Sequence, residues 1–294
     1  MKQEIKVLNL KKKLFLGEEL SEKEKSFNFS KFHILPIPLE KTVSYGTGTS
    51  KAPEIIINAS NQLERNQNSP CDFGIYTHDA LDCSLNFNSI FKNIENLIFD
   101  ILKKDKIPVC IGGEHSLTFG VIKGFKKKFN NINEDFGIIQ FDAHADLRKK
   151  YNGSVNSHAT VMYKIHKENI PIFQFGVRAQ SDEEIKLREQ FNINYKSIED
   201  YRKNPNIRLP KNFPKNIYIT FDSDCLDPSI MPATGTPVPN GLYYNETFLI
   251  LKKLIEDKEI IGIDYVEYAP IENFHAYDYI SANIIYDLMK LCLK

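Results

Sequence analysis

Two short stretches of the chain end apolar runs with metal-type side chains at every second position: Phe141-Asp142-Ala143-His144-Ala145-Asp146 and Phe221-Asp222-Ser223-Asp224. In an extended backbone alternate side chains point the same way. The first stretch therefore aims Asp142, His144 and Asp146 at one spot, and the second aims Asp222 and Asp224. Five such groups in two clusters, each closing an apolar run, imply a bound cation and the hydrolytic chemistry a cation supports. A third signal, Gly112-Gly113-Glu114-His115-Ser116, follows another apolar run. Its glycines permit a tight turn from strand to helix. His115 then offers a sixth ligand, and Ser116 is placed to cap the next helix.

Two histidines and four aspartates exceed the roughly three protein ligands of a catalytic zinc. They suit a pair of ions roughly 3.5–4 Å apart, with Asp142 and Asp222, the leading residues of their clusters, as bridging candidates. Oxygen donors with a minority of imidazole favour Mn²⁺, with Fe²⁺, Co²⁺ and Zn²⁺ as alternatives. Histidine in the clusters argues against Ca²⁺. Other chemistries fail on inspection. Gly46-Thr47-Gly48-Thr49-Ser50-Lys51 has lysine where a dinucleotide fingerprint needs glycine, and it lacks the Gly-Lys-Ser/Thr of a phosphate loop. No Gly-x-Ser-x-Gly elbow is present.

The elements that position these residues alternate. Candidate strands are His33–Pro38, Pro108–Ile111, Phe136–Phe141, Ile172–Val177, Ile193–Lys196, Ile217–Phe221 and Ile260–Val266. Helical stretches are expected at 87–104, 116–129, 181–190, 244–257 and 278–293. Apolar strands separated by helices imply an α/β fold, a three-layer α/β/α arrangement around a mostly parallel sheet. Ligands of such sheets gather beyond the carboxyl ends of the strands. The Gly-Gly-Glu-His-Ser turn, both carboxylate clusters and Glu267 all fall at that edge. Segments 147–158 and 224–243, rich in Gly, Pro, Ser and Asn, read as long functional loops.

With no linker, repeat or low-complexity tract, the 294 residues read as one domain, residues 1–30 forming a peripheral extension. A hydrophobic fraction of 42% is ample for a core. Lys+Arg and Asp+Glu are both 38, a balance that argues against nucleic acid or an anionic membrane as partner. The basic runs Lys11–Lys13 and Lys126–Lys128 read as solvated faces, the second ending a helix. Five cysteines, Cys71, Cys83, Cys110, Cys225 and Cys292, show no Cys-x-x-Cys spacing, so neither disulfides nor structural zinc is expected, and Cys110 reads as a small core residue. Residues 1–30 mix Lys and Glu without a signal-like apolar run, and a cytoplasmic location is expected.

Gly-Gly-Glu-His-Ser, Phe-Asp-Ala-His-Ala-Asp and Thr-Phe-Asp-Ser-Asp-Cys-Leu-Asp-Pro together resemble the ureohydrolases, the family of arginase and agmatinase. Thr42-Val43-Ser44-Tyr45-Gly46, Ala233-Thr234-Gly235-Thr236-Pro237 and Asp264-Tyr265-Val266-Glu267 extend the resemblance from about residue 32 to the C-terminus. Ser157-His158-Ala159-Thr160-Val161-Met162 and Gln174-Phe175-Gly176-Val177-Arg178 look like the agmatinase branch. The resemblance implies an arginase-like fold with two Mn²⁺ ions. One would be held by His115, Asp142, Asp146 and Asp222, the other by Asp142, His144, Asp222 and Asp224. It further implies a bridging hydroxide that attacks a guanidinium carbon, Glu267 as the substrate carboxylate, and His158 as a proton shuttle. Urea and an amine would result, with agmatine giving putrescine; arginine, guanidinobutyrate and formiminoglutamate are the alternative substrates. A catalytically silent scaffold or regulator would be expected to have lost some of these residues, and all are present. Homo-oligomers, trimers or hexamers, are also implied.

The loop between Asp146 and His158 lacks the Ser-Gly-Asn-x-His run by which arginases hold the amino-acid end of their substrate, which favours a decarboxylated amine. Ser223 stands where the family is usually aliphatic, and Asn273-Phe274-His275-Ala276-Tyr277 matches the family pattern poorly. Asp227 is expected to brace its own turn. His33, His78, His166 and His275 are read as non-ligands.

Overall fold

The computed structural model describes residues 13–132 and 134–293. Eight strands form one parallel sheet: β1 (Phe32–Ile37), β2 (Ile75–Thr77), β3 (Ile107–Gly112), β4 (Phe136–Phe141), β5 (Ile172–Phe175), β6 (Asn194–Lys196), β7 (Asn216–Asp222) and β8 (Glu259–Val266). Their order across the sheet is β2-β1-β3-β8-β7-β4-β5-β6. The helices are α1 (Ala52–Ser60), α2 (Phe87–Leu102), α3 (Leu117–Ile132), α4 (Val161–Lys167), α5 (Asp182–Gln190), α6 (Ile198–Lys203), α7 (Tyr244–Leu254) and α8 (His275–Leu291).

Both faces are covered, and strand alternation sorts the side chains between them. Val109, Ile111, Ile139, Phe141, Ile219, Phe221 and Tyr265 pack with residues of α1, α6, α7 and α8. Cys110, Ile138, Tyr218 and Val266 face α2, α3 and α4 on the other side. This is the expected three-layer arrangement, and Cys110 is the core residue it was read to be. Among the described residues no helix is long and apolar enough to cross a membrane.

Several expectations need correction. The edge strand β2 and helices α1, α4 and α6 were not legible. The β-branched run Ile55-Ile56-Ile57 obscures α1, although Pro53 suits a helical first turn; β2 and α6 span only 3 and 6 residues. The N-terminal segment is not wholly peripheral, because Phe15, Leu16 and Leu20 are buried in the core. Phe15 N–H donates to Thr77 and Leu16 N–H to Ser60. Residues 1–12, with Lys11 and Lys12, lie outside the described residues. Lys126–Lys128 do not end their helix, which runs on to Ile132. Ser116 does not cap α3; its hydroxyl donates to Glu114.

Two glycines shape the edge that carries the chemistry. A Cβ on Gly113 would lie 1.9 Å from the carbonyl oxygen of Leu39, so the double-glycine turn admits no side chain. β5 ends at Phe175, two residues before the expected Val177, and is followed by Gly176 at φ +98°, where an added Cβ would lie 3.0 Å from the Asp142 carbonyl oxygen.

Candidate metal centre

The candidate residues come from four adjacent central strands. His115 follows β3, Glu267 follows β8, Asp222 and Asp224 lie at the end of β7, and Asp142, His144 and Asp146 follow β4. His115 Nδ1 lies 3.2 Å from an Asp142 carboxylate oxygen, 3.1 Å from Asp146 and 3.4 Å from Asp222. His144 Nδ1 lies 2.8 Å from Asp224 and 3.7 Å from Asp142. Asp142 therefore belongs to both groups, His115–Asp142–Asp222 and Asp142–His144–Asp224, each compact enough to hold an ion.

Whether these residues suit a metal is tested by His115 itself. Its buried Nδ1 is ringed by three carboxylate oxygens yet hydrogen-bonds to none of them. Its Nε2 is taken, 2.8 Å from Thr220 Oγ1. With Nε2 engaged by Thr220, Nδ1 and the carboxylate oxygens crowd one point, as ligands around a cation do. The donor set agrees: four carboxylates carry the charge that two divalent ions would balance. The residues fit the group.

Backbone and side-chain donors hold the carboxylates in place. Asp142 Oδ1 accepts from His144 N–H at 2.6 Å and Oδ2 from the Gln140 amide at 2.7 Å. Asp222 Oδ1 accepts from Asp224 N–H at 2.8 Å, and Asp224 Oδ1 from Ala143 N–H at 2.9 Å. Gln174 donates to Gln140 Oε1 at 2.6 Å and to the Ala145 carbonyl at 2.8 Å, which turns the Gln140 NH₂ toward Asp142. Gln174, Gln140, Thr220 and Asp264 occupy one register row across β5, β4, β7 and β8, all fully buried. A buried polar row thus lies two residues below the carboxylates. Nothing in the motif spacing announces it, although polar residues inside otherwise apolar strands were its signal.

Crowded acids show their strain electrostatically. Burial, then the neighbouring Asp142 charge, pushes Asp146 up to about 7. Burial and the Asp224 and Asp142 charges raise Asp222 as well. Burial would pull His144 down, but Asp224 and Asp142 overcome it and push it up to about 12. Asp146 and Glu267 are also held at φ +53° and +61°, a left-handed backbone uncommon outside glycine and frequent at functional sites.

Glu267 and His158 lie on the same cavity of about 340 Å³ as Asp146, His144, Asp222 and Asp224. Glu267 Oε1 accepts from the backbone N–H of His115 at 2.6 Å, and burial drives its carboxyl up to about 8. His158 joins neither ion-holding group; burial lowers it below the ordinary histidine value. The cavity is also lined by Arg148 and Glu184, 3.6 Å apart. Arg178 clamps the 224–243 loop through the carbonyls of Asp224 at 2.7 Å, Val238 at 2.8 Å and Pro239 at 3.0 Å. Asp227 braces the same loop by accepting from Ser229 and Gly241 N–H.

A parallel sheet with paired histidine–carboxylate cradles at its carboxyl edge defines a metal-dependent hydrolase. The chain belongs to the arginase family of ureohydrolases, whose family model matches residues 30–290. It is 33% identical over 269 residues to the N(1)-aminopropylagmatine ureohydrolase of Synechocystis sp., covering 87% of each chain. It is 31% identical over 243 residues to the agmatinase of Pyrococcus horikoshii, covering 80% of this chain and 82% of that one. The crystal structure of agmatine ureohydrolase from Thermoplasma volcanium superposes with a TM-score of 0.77 over 94% of this chain and 96% of its own. At 24% identity that likeness speaks for the fold.

Proposed function

We propose that this chain hydrolyses agmatine to urea and putrescine with two Mn²⁺ ions. One would be held by His115, Asp142, Asp146 and Asp222, the other by Asp142, His144, Asp222 and Asp224. The carrying observation is His115 Nδ1, buried among three carboxylates and bonded to none. When bound, such ions supply a hydroxide nucleophile near neutral pH and stabilise the charge that develops on attack.

The chain's own residues do the rest. Glu267 receives the guanidinium in a charge-assisted fork, and the cation restores the charge that burial of this carboxyl opposes. His158, on the same cavity and kept neutral by its burial, would take up the proton that the attacking water gives up and hand it to the leaving amine. The Arg148–Glu184 pair closes the tail wall with its charges matched. N(1)-aminopropylagmatine is a second reading, favoured by the name of the Synechocystis relative.

A urea-release panel of agmatine, N(1)-aminopropylagmatine, arginine and guanidinobutyrate at saturating Mn²⁺ tests both readings. The two decarboxylated amines should exceed arginine in kcat/KM, because Arg148 on the cavity is already matched by Glu184, which leaves the desolvation of an α-carboxylate poorly compensated. Arginine equal to or better than both would overturn the substrate. No urea from any compound, with two ions bound, would overturn the activity.

A further inference from the structure

The sequence motif around His115 includes one acidic side chain that joins neither ion-holding group. Glu114 is completely buried next to a ligand candidate, yet its carboxylate turns toward the loop that leaves β1. Oε2 accepts from the backbone N–H of Lys41 at 2.5 Å and of Thr42 at 2.6 Å. Oε1 accepts from the Ser116 hydroxyl and, at 2.9 Å, from the Thr42 hydroxyl. Thr42 Oγ1 in turn lies 3.1 Å from His158 Nδ1 and accepts from the His158 backbone N–H at 3.2 Å. The two residues are 116 positions apart in the chain.

The hydrogen placement follows from chemistry. A hydroxyl has a single hydrogen. Thr42 gives it to Glu114 Oε1 at 2.9 Å. The Thr42 oxygen is then left as an acceptor for an Nδ1–H of His158, with the Ser157 hydroxyl a longer second contact to the same nitrogen at 3.4 Å. The neutral imidazole is thereby held in the tautomer whose Nε2 carries the lone pair, free for the cavity. The Tyr151 ring, edge-on to His158 at 5.5 Å, restricts the imidazole from another side.

We propose that Thr42 and Glu114 are positioning residues for His158, fixing its tautomer and its orientation for proton transfer. This rests on the proton-transfer role given to His158 above. The pairing also ties the loop leaving β1 to the 147–158 loop, two of the segments that line the cavity.

The test is a double-mutant cycle on the Mn²⁺-loaded enzyme, read by urea release and metal content. Thr42→Val should lower kcat by about 10–100-fold, the scale of a misplaced catalytic group. KM and the two bound ions should be unchanged, and Thr42→Ser should restore kcat. The limb of the kcat–pH profile that disappears in His158→Asn should move to lower pH in Thr42→Val, because the imidazolium loses its better acceptor. Adding Thr42→Val to His158→Asn should cost nothing further. Equal loss in Thr42→Val and Thr42→Ser, additive loss in the double mutant, or unchanged kcat in Thr42→Val would each overturn the inference. Thr42→Ala supplies the same comparison if the valine variant does not fold. Full turnover in His158→Asn would instead remove the role of His158 itself, so the two failures are distinguishable.

Discussion

The two halves of the metal cradle are built differently. The half around His115 stands on the sheet: its imidazole is 1% exposed, and its Nε2 is backed by Thr220, which pairs in register with Asp264 on the neighbouring strand. Asp264 is itself held by the Thr118 hydroxyl at 2.7 Å and the Tyr218 hydroxyl at 2.8 Å. The half around His144 stands on a loop: its imidazole is 30% exposed, faces the cavity and leans on Asp224 alone at hydrogen-bonding distance. Asp142 is the hinge between them. The same ligand chemistry is thus presented once by a rigid, dry support and once by a solvent-reachable one. Of the two ions proposed here, the inner should be the tighter and slower to exchange, and the outer the one that substrate and solvent approach.

The strongest way to break this picture is to remove the shared carboxylate. Asp142→Ala takes a ligand from both halves and leaves His115 and His144 with poorly compensated neighbours. Turnover should fall by at least about a thousandfold, as for loss of a central electrostatic element. Elemental analysis should show both ions lost; two ions and normal turnover would refute a shared ligand.

Removing one imidazole at a time separates the halves. His144→Asn should release one ion while the other is retained through dialysis. His115→Asn should weaken the ion that wild type holds longest. Competition against a fluorescent chelator reads both, and identical affinity profiles in the two variants would erase the asymmetry.

A smaller effect probes the support alone. Thr220→Val keeps the shape but removes the acceptor of His115 Nε2–H. Affinity for the tighter ion should drop about 10–100-fold, the scale of losing a group that orients a ligand. Thr220→Ser should retain it, and the weaker ion should be untouched.

The smallest prediction concerns the scaffold away from the cradle. Burial, helped by the neighbouring His78 charge, lowers His33 from 6.5 to about 4. Because the folded pKa is depressed, the neutral imidazole is the form the fold accepts. Its contribution is complete above about pH 6.5 and is lost as the pH falls toward 4. Thermal melts of metal-free wild type and His33→Phe should converge over that interval. A constant difference between them would exclude His33 as a source of acid sensitivity.

Much of the site was legible because alternate spacing at a strand end has a direct geometric meaning. Asp142 and His144 meet in one ion-holding group, but Asp222 and Asp224 divide between the two, because β7 gives way at Ser223 to a 3-10 turn that redirects Asp224; His115 arrives from its double-glycine turn. The strands β4 and β7 were legible for the related reason that buried parallel strands are continuous apolar runs. What escaped were features whose partners are distant in sequence. Thr42 and His158 meet across 116 positions, and Thr220 meets His115 across 105. Both hydroxyls open motifs quoted for the family resemblance, yet nothing local in either motif names the distant histidine it meets. Phe15 and Leu16 were misplaced because a charged, lysine-rich neighbourhood concealed two core side chains.

Two ions in one cradle would carry the hydrolysis. Titrating metal-free enzyme with Mn²⁺ while following urea release from agmatine tests this. Activity should be absent without metal, rise with added ion and saturate at two equivalents per chain. Urea release that survives chelation, or that saturates at one equivalent, would contradict it.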